Sequence, residues 1–485
     1  MSEVAAAGLG TSTAVPALDR YLVPPRIVPA LDPSFRPVTL ARRKFEAEAA
    51  SHEGAVAVAV AVEQPGGAVG VRRTLVLPDG HPDAPAGHAM CERLVKTLLW
   101  AHGGARVWVD GPPGLVEALR SHYSETPEGR FDAATLGDAV YGQPFEVVEA
   151  PAASFPADRG SGVELGGHLD GCRIGFDLGQ STRRSAAVQD GEVVFSGEVP
   201  WDPSRHADPQ WHLDEITDSL RRAAAHLPRV DAIGGSAAGI YVGGRVRVAS
   251  LFRAVPPGRL LERVSGLFHE LAAAWGGVPF VVINDGDVTA LAGALQARAG
   301  RLLGVAMGSS LAAGYVTADR TLTSRLNELA FTPLDLAPGA PLDDWSGDRG
   351  CGVQYLSQAA VARLLPRAGV DIEPTMPLPQ QLGRLRRLMA DNDPRARAVY
   401  ETIGTYLGYA LLEYRTLYDT GHVLLLGGVA AGPGGDVIAA AAREVLRAED
   451  PSAEELAFHA VSARAQRHAQ AVAAASLPQL ERAQP

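Results

Sequence analysis

The chain has 485 residues, enough for about three units of ordinary domain size. Hydrophobic residues make up 46% and charged residues 20%, which excludes wholesale disorder, and a formal charge of −11 excludes a general attraction to phosphate backbones or anionic lipid. The only lysines are Lys44 and Lys96, so neither a GxxxxGK phosphate loop nor a Schiff-base lysine exists in the last three quarters of the chain.

Residues 1–50 open on a Pro-, Ala- and Leu-rich stretch with little periodicity, and an extended N-terminal arm is expected there. From 51 to 150 the pattern becomes regular and predicts a small accessory α/β domain. Its first strand is "AVAVAVAV" at 55–62, far too short an apolar run to span a membrane. A strand at 69–77, a helix over 86–101, a strand "ARVWVD", a helix from "GPPGLVEALRSHY" and a strand "FEVVEA" follow. This unit carries no phosphate signature and reads as a scaffold or oligomerisation domain. Residues 151–170 are rich in Pro, Gly, Ser and Asp and mark a linker.

A second α/β region begins at 171. It shows strands "CRIGFDLG", "SAAVQ" and "EVVFSGEV", a helix over 213–227, a strand "VDAIGGSAAG", a helix over 258–275 and a strand "PFVVIND". The hairpin "GVAMGSSLAAGYV", helices over 353–365 and 394–418, and a strand, glycine loop and helix in "HVLLLGGVAAGPGGDVIAAAAREVL" complete it. Such alternation implies a partly parallel sheet with functional loops at the carboxyl ends of strands.

Three glycine turns carry the chemistry. In "GFDLGQSTRRSAAV", small residues around Gly179 and Ser181 let backbone amides approach an anion, while Asp177 can hold a metal-bound water. Gly308, Ser309 and Ser310 repeat that arrangement, and Gly427 and Gly428 end a strand where a flat ring could lie on bare backbone. Between the first two turns stands "VVINDGDVTALAGAL", with Asn284 and Asp285 at a strand end and Asp287 read as a helix-start residue.

That order resembles the sugar-kinase, hexokinase and actin superfamily, specifically the ROK family of carbohydrate kinases and repressors, over about 172–485. The resemblance implies a two-lobed ribonuclease-H-like α/β kinase core at 171–485, preceded by the smaller α/β domain. Its small lobe would run over about 171–283 plus a C-terminal helix, and its large lobe over about 284–455. It implies ATP and Mg²⁺ as cofactors and a sugar or sugar-like polyol as substrate. Asp177, Gly179, Gln180, Ser181 and Thr182 would face the phosphates, with Mg²⁺ reached from Asp177 through water. Gly308, Ser309 and Ser310 would face them from the second hairpin, and Gly427 and Gly428 would lie near adenine. Asp285 would be the general base, with Asn284, Glu328 and Gly239 at the sugar.

The chain also departs from the family pattern. Phe331 stands where a histidine is usual, Asp344 and Ser346 replace two zinc-binding cysteines, Cys351 remains, and Val353 replaces a glutamate. One thiol cannot build a tetrahedral zinc site, so no zinc is expected, and Asp348 is read either as pairing locally with Arg349 to hold the loop or, equally, as a solvated loop residue. A catalytically weak nucleotide or sugar sensor of the same fold is the rival reading. A DNA-binding repressor is disfavoured, because 55–150 shows no basic recognition helix.

Cys91, Cys172 and Cys351 are odd in number and widely spaced, which fits reduced thiols. With no basic start followed by an apolar run, the expected location is the cytoplasm, without membrane or nucleic-acid partners and with a homodimer left open. His206 and His212 are read as loop residues, His422 as a helix-end residue, and "GRLRRL" at 383–388 as a solvated helical face.

Overall fold

The computed structural model describes residues 16–160, 165–248, 250–453, 455–460 and 463–480. Helix α1 spans Val38–Ala50, so this part of the expected extended arm is helical. The reason is local: Pro37 starts the helix, strong helix formers follow, and Ala41, Phe45 and Ala49 fall on one buried face. The irregular segment ahead of it is tied down, with the Ile27 N–H donating to the Tyr409 hydroxyl at 3.2 Å and the Leu31 N–H to the Thr402 hydroxyl at 3.3 Å.

Strands β1 (Val56–Glu63), β2 (Val69–Val76), β3 (Arg106–Asp110) and β4 (Glu146–Glu149) form a mixed sheet in the order β2-β1-β3-β4. Helices α2 (Ala84–His102) and α3 (Pro113–Glu125) link its strands. Two further segments, α4 (Pro127–Ala133) and a π-helical turn at Ala134–Tyr141, were not legible as periodic runs; Pro127 and the Thr126 side chain, which accepts from the Gly129 N–H, start α4.

The second sheet contains β5 (Cys172–Leu178), β6 (Thr182–Gln189), β7 (Glu192–Pro200) and β8 (Ala232–Ala237). A small hairpin, β9 (Ile240–Val242) and β10 (Arg245–Val248), precedes its edge strand β11 (Phe280–Asn284). The order is β11-β8-β5-β6-β7, with β5, β8 and β11 parallel and the β5-β6-β7 meander antiparallel. Helix α5 covers Pro209–Ala224, starting earlier than its apolar period because Asp208 caps it through the Gln210 N–H. The continuous helix expected over 258–275 is broken into α6 (Pro257–Arg259), a π-helical turn at Leu260–Val264 and α7 (Leu267–Ala274). Gly266, a weak helix former, stands at the break just before α7.

Helix α8 (Asp285–Ala297) leads into the third sheet, made of β12 (Leu302–Met307), β13 (Leu311–Val316), β14 (His422–Leu426) and β15 (Ala457–Ala460) in the order β13-β12-β14-β15. Helices α9 (Gln358–Arg367), α10 (Leu378–Ala390), α11 (Pro394–Tyr414) and α12 (Pro433–Glu449) belong to this half. Helix α13 (Ala463–Ala475) returns to the second sheet. A side chain at Gly175 or Gly234 would collide with the carbonyl oxygens of Ala471 and Ala474 respectively, so these glycines let α13 lie directly on β5 and β8.

Several expectations about single residues change. His212 is fully buried in α5, with Nε2 against the His206 carbonyl at 3.0 Å, because the earlier helix start pulls it inside. His422 opens β14 and faces His459, Nδ1 to Nε2 at 2.9 Å, rather than ending a helix. One continuous buried core runs from Leu40, Val60 and Trp100 of the first region to Val305, Tyr406 and Leu425 of the third sheet. The second sheet has a core of its own around Phe176, Ile233 and Phe268.

Candidate active site

The register of the second sheet lines up one polar row across four strands. Glu198 lies opposite Arg184, Arg184 opposite Asp177, and Asp177 opposite Ser236. Residues paired this way share one face of the sheet. Asp177 accepts from Arg184 Nη1 on one oxygen and from the Ser236 hydroxyl on the other, both at 2.8 Å. Burial pushes the Asp177 carboxyl up while the two donors pull it back. Beside it, the hairpin turn exposes Gln180 and Ser181, and Gly179 closes it by donating to the Thr182 carbonyl at 3.0 Å.

Each Asp177 oxygen has one close donor and keeps a second lone-pair position that a metal-bound water could use. Among the described residues, no group of three or more His, Cys, Asp or Glu side chains is placed to hold a metal ion.

One strand further on, Asn284 ends β11 and caps α8. Its Oδ1 accepts from the Gly286 N–H at 2.7 Å and its Nδ2 donates to the Gly239 carbonyl at 2.8 Å. Asn284 and Gly239 are thus brought together, and Asn284 is first a positioning residue with one amide N–H left for a ligand. Asp285 follows at the head of α8. Burial raises its carboxyl to about 6, with the negative charge of Asp177 adding to the rise and the backbone amides of Asp285 and Gly286 opposing it. Gln470 Nε2 donates to the Ser236 hydroxyl at 2.9 Å and to the Asp285 main-chain carbonyl at 3.4 Å, which ties β8 to the head of α8.

Asp287 lies in the first turn of α8, as expected, and is also a buried member of a hydrogen-bond network. Asn327 Nδ2 donates to it at 2.8 Å, and the Tyr418 hydroxyl donates to Asn327 Oδ1 at 2.8 Å. Burial raises its carboxyl to about 8, so it carries a proton at neutral pH while Asp285 is ionised. Glu328 is lifted to about 7 by burial and then by the negative charge of Asp285. The first turn of α8 thus carries two buried carboxyls, Asp285 and Asp287, raised to different extents.

The second hairpin and the third glycine loop also meet. Gly427 has φ +83° and packs so closely on Met307 that a side chain there would meet its carbonyl oxygen at 2.5 Å. The Val429 N–H donates to the same carbonyl at 2.9 Å, which sets Gly427 and Gly428 beside Gly308. Ser309 and Ser310 are exposed at the hairpin tip, and the Gly308 carbonyl accepts from the Gln358 N–H at 2.9 Å. The arginine-rich face of α10 is more than a solvated surface, since Arg386 donates to the Gly428 carbonyl.

The loop carrying Glu328 is built partly by the N-terminal region. The N–H groups of Leu326, Asn327 and Glu328 donate to the carbonyls of His102, Ala101 and Trp100 at 3.1, 3.0 and 2.9 Å. Those carbonyls end α2, where a helix has no internal partners for them. Phe331, standing where a histidine was expected, packs on Trp100 with ring centroids 4.3 Å apart, and exposed Trp345 stacks parallel on Phe331 at 6.1 Å. Asp348 is neither solvated nor held by Arg349 alone. It is buried, and accepts from Arg93 at 2.7 Å while Lys96 Nζ lies 3.0 Å away. Lys96 is itself fully buried and also pairs with Asp132 at 2.8 Å, which the Trp100 indole N–H reaches at 3.0 Å.

Arg184, Ser236, Trp100, Arg93 and Lys96 were missed by motif reasoning. Arg184 was findable, because a hairpin that turns at Gln180 and Ser181 pairs residue 177 with 184. The others depend on contacts between distant segments.

Comparison with solved structures gives the fold its name. The chain aligns with a ROK family transcriptional regulator, a homolog of the E. coli MLC protein, at 20% identity over 64% of this chain and 79% of that one, with a TM-score of 0.51. A ROK hexokinase from Thermus thermophilus aligns at 22% identity over 62% of this chain and 97% of that one, with a TM-score of 0.49. A ROK family glucokinase from Streptomyces griseus, solved with glucose and AMPPNP, aligns at 19% over 62% and 98%, with a TM-score of 0.46. No family model and no curated protein matches the chain. Among the described residues, no helix is long and apolar enough to cross a membrane.

Proposed function

We propose that this chain, whose α/β architecture is ROK-like, transfers the γ-phosphoryl group of ATP to a hydroxyl of a sugar or sugar-like polyol. The observation that carries the reading is Asp285: a buried carboxyl at a helix head, next to the Asn284 cap and raised to about 6 by burial and by the charge of Asp177. A base of that strength is ionised at neutral pH and still takes a proton from an attacking hydroxyl.

In this reading Asp285 accepts the hydroxyl proton as the acceptor oxygen forms its bond to the γ-phosphorus. The bond from that phosphorus to the bridging oxygen breaks, and ADP leaves with the electron pair. Exposed Ser309 and Ser310 and the turn amides of both hairpins would orient the phosphates, with adenine against Gly427 and Gly428. The Asn284 amide and Glu328 would hold the acceptor. Transfer of this kind depends on positioning and charge neutralisation, which Mg²⁺ supplies on nucleotide phosphates when bound. No step is assigned to a metal on Asp177.

The test is Asp285→Asn, assayed for ATP consumption against a panel of hexoses, amino sugars and cyclitols. Loss of acceptor-dependent turnover with retained nucleotide binding supports the role; near-normal turnover removes it. A second reading, a nucleotide or sugar sensor with weak catalysis, is favoured by Phe331, which turns toward Trp100 instead of offering a polar contact. Calorimetry that finds ligand binding without any phosphorylated product selects the sensor.

A further inference from the structure

The turn of the first glycine hairpin is held from one side by a single residue. Trp201 follows β7 directly, and the pairing of Thr182 with Pro200 brings it beside Ser181. Its main-chain N–H donates to the Ser181 carbonyl at 3.2 Å, and its indole N–H donates to the Gly179 carbonyl at 2.7 Å. In a trans peptide the carbonyl and the next N–H point opposite ways, so these two bonds aim the N–H groups of residues 180 and 182 away from Trp201. Any buried indole seeks an acceptor. What marks Trp201 is that its main chain and its side chain both close on the turn to which the phosphotransfer reading gives the nucleotide phosphates.

The indole is itself fixed. It is 7% exposed and stacks on Trp211 of α5, with ring centroids 5.9 Å apart and planes at 19°. Trp211 lies flat on His206 at 3.6 Å, and the His206 carbonyl faces Nε2 of buried His212 at 3.0 Å. The turn is therefore tied to the head of α5 through Trp201, as well as to its own strands.

We propose that Trp201 is a positioning residue for the nucleotide: it holds the turn at 179–182 in the conformation that receives the phosphates, without touching them. The inference rests on the nucleotide reading above and goes beyond it, since that reading assigns no residue to hold the turn.

The experiment uses Trp201→Phe in the full-length protein. Phe keeps a ring against Trp211 and the main-chain bond to Ser181 but removes the indole donor. Calorimetric titration of AMPPNP in excess Mg²⁺ should give a dissociation constant about three- to tenfold weaker than that of the wild type, as expected when one carbonyl loses its donor. In turnover with an acceptor found by the panel above, the KM for ATP should rise by a similar factor while the KM for the acceptor stays within about twofold. Trp201→Tyr fills more of the space and also lacks the indole N–H, and it carries the test if Trp201→Phe fails to melt cooperatively. Equal AMPPNP binding by wild type and variant overturns the inference and leaves the phosphotransfer reading standing. An equal rise in both KM values, as a general loosening of the fold would give, also overturns it. An absence of AMPPNP binding by the wild type removes this inference and the nucleotide reading together.

Discussion

The backbone N–H of Glu328 donates to the carbonyl of Trp100 at 2.9 Å, so a residue expected at the acceptor hangs on the last turn of a helix from the N-terminal region. Trp100 adds its ring against Phe331 and its indole N–H to Asp132. Trp100→Ala should cost about 3–5 kcal/mol of stability, as expected for a buried large-to-small change. It should also raise the acceptor KM more than the ATP KM. Denaturant unfolding and two-substrate kinetics check both; a change confined to stability would detach Trp100 from the site.

Lys96 lies between Asp132 and Asp348 with no solvent exposure. Both acids keep it charged. Lys96→Met leaves carboxylates without their shared cation and should destabilise the fold by about 3–5 kcal/mol. Pairing it with Asp132→Leu should recover part of that loss, because Arg93 remains for Asp348. Thermal unfolding of the single and double variants decides this.

Asp285 sets an acidic limb. With its carboxyl near 6, kcat/KM should fall about tenfold per unit as pH drops below that value, since the protonated acid cannot act as a base. A log kcat/KM profile should bend near that pH in the wild type. In Asp285→Asn the bend should vanish and turnover should fall by about 10²–10⁴-fold.

Asp287 makes the opposite kind of statement, about stability. Its carboxyl is raised to about 8, above the ordinary range near 4, so the folded chain binds more protons than the unfolded one between those values. Its contribution to stability therefore declines as pH rises through that window. Asp287→Asn removes the effect, and Asn can still accept from Asn327. The melting temperature of the variant should gain on that of the wild type from about pH 5 to about pH 8. A constant gap would show that Asp287 does not titrate there.

Much of the second and third sheets was legible because their strands are short apolar runs ended by Gly, Asn or Asp, and hairpins declare themselves within a dozen residues. Asp285, the two glycine turns and the strand before Gly427 were found that way. Asp287 stands in the first turn of α8 as read, but its partner Asn327 lies 40 positions away and so left no local trace. The broken helix at 257–274 kept its apolar period while Gly266 interrupted its backbone before α7. The tie between Trp100 and Glu328 has no local trace, since it joins main-chain atoms 228 residues apart and main-chain atoms carry no sequence identity.

That tie also couples two events that motif boundaries would keep separate. Amides 326–328 can exchange with solvent only when they leave the carbonyls of α2, so the acceptor loop and the end of that helix open together. A ligand that holds Glu328 should therefore slow hydrogen exchange in α2, and loosening of the N-terminal sheet should weaken the ligand by the same free energy.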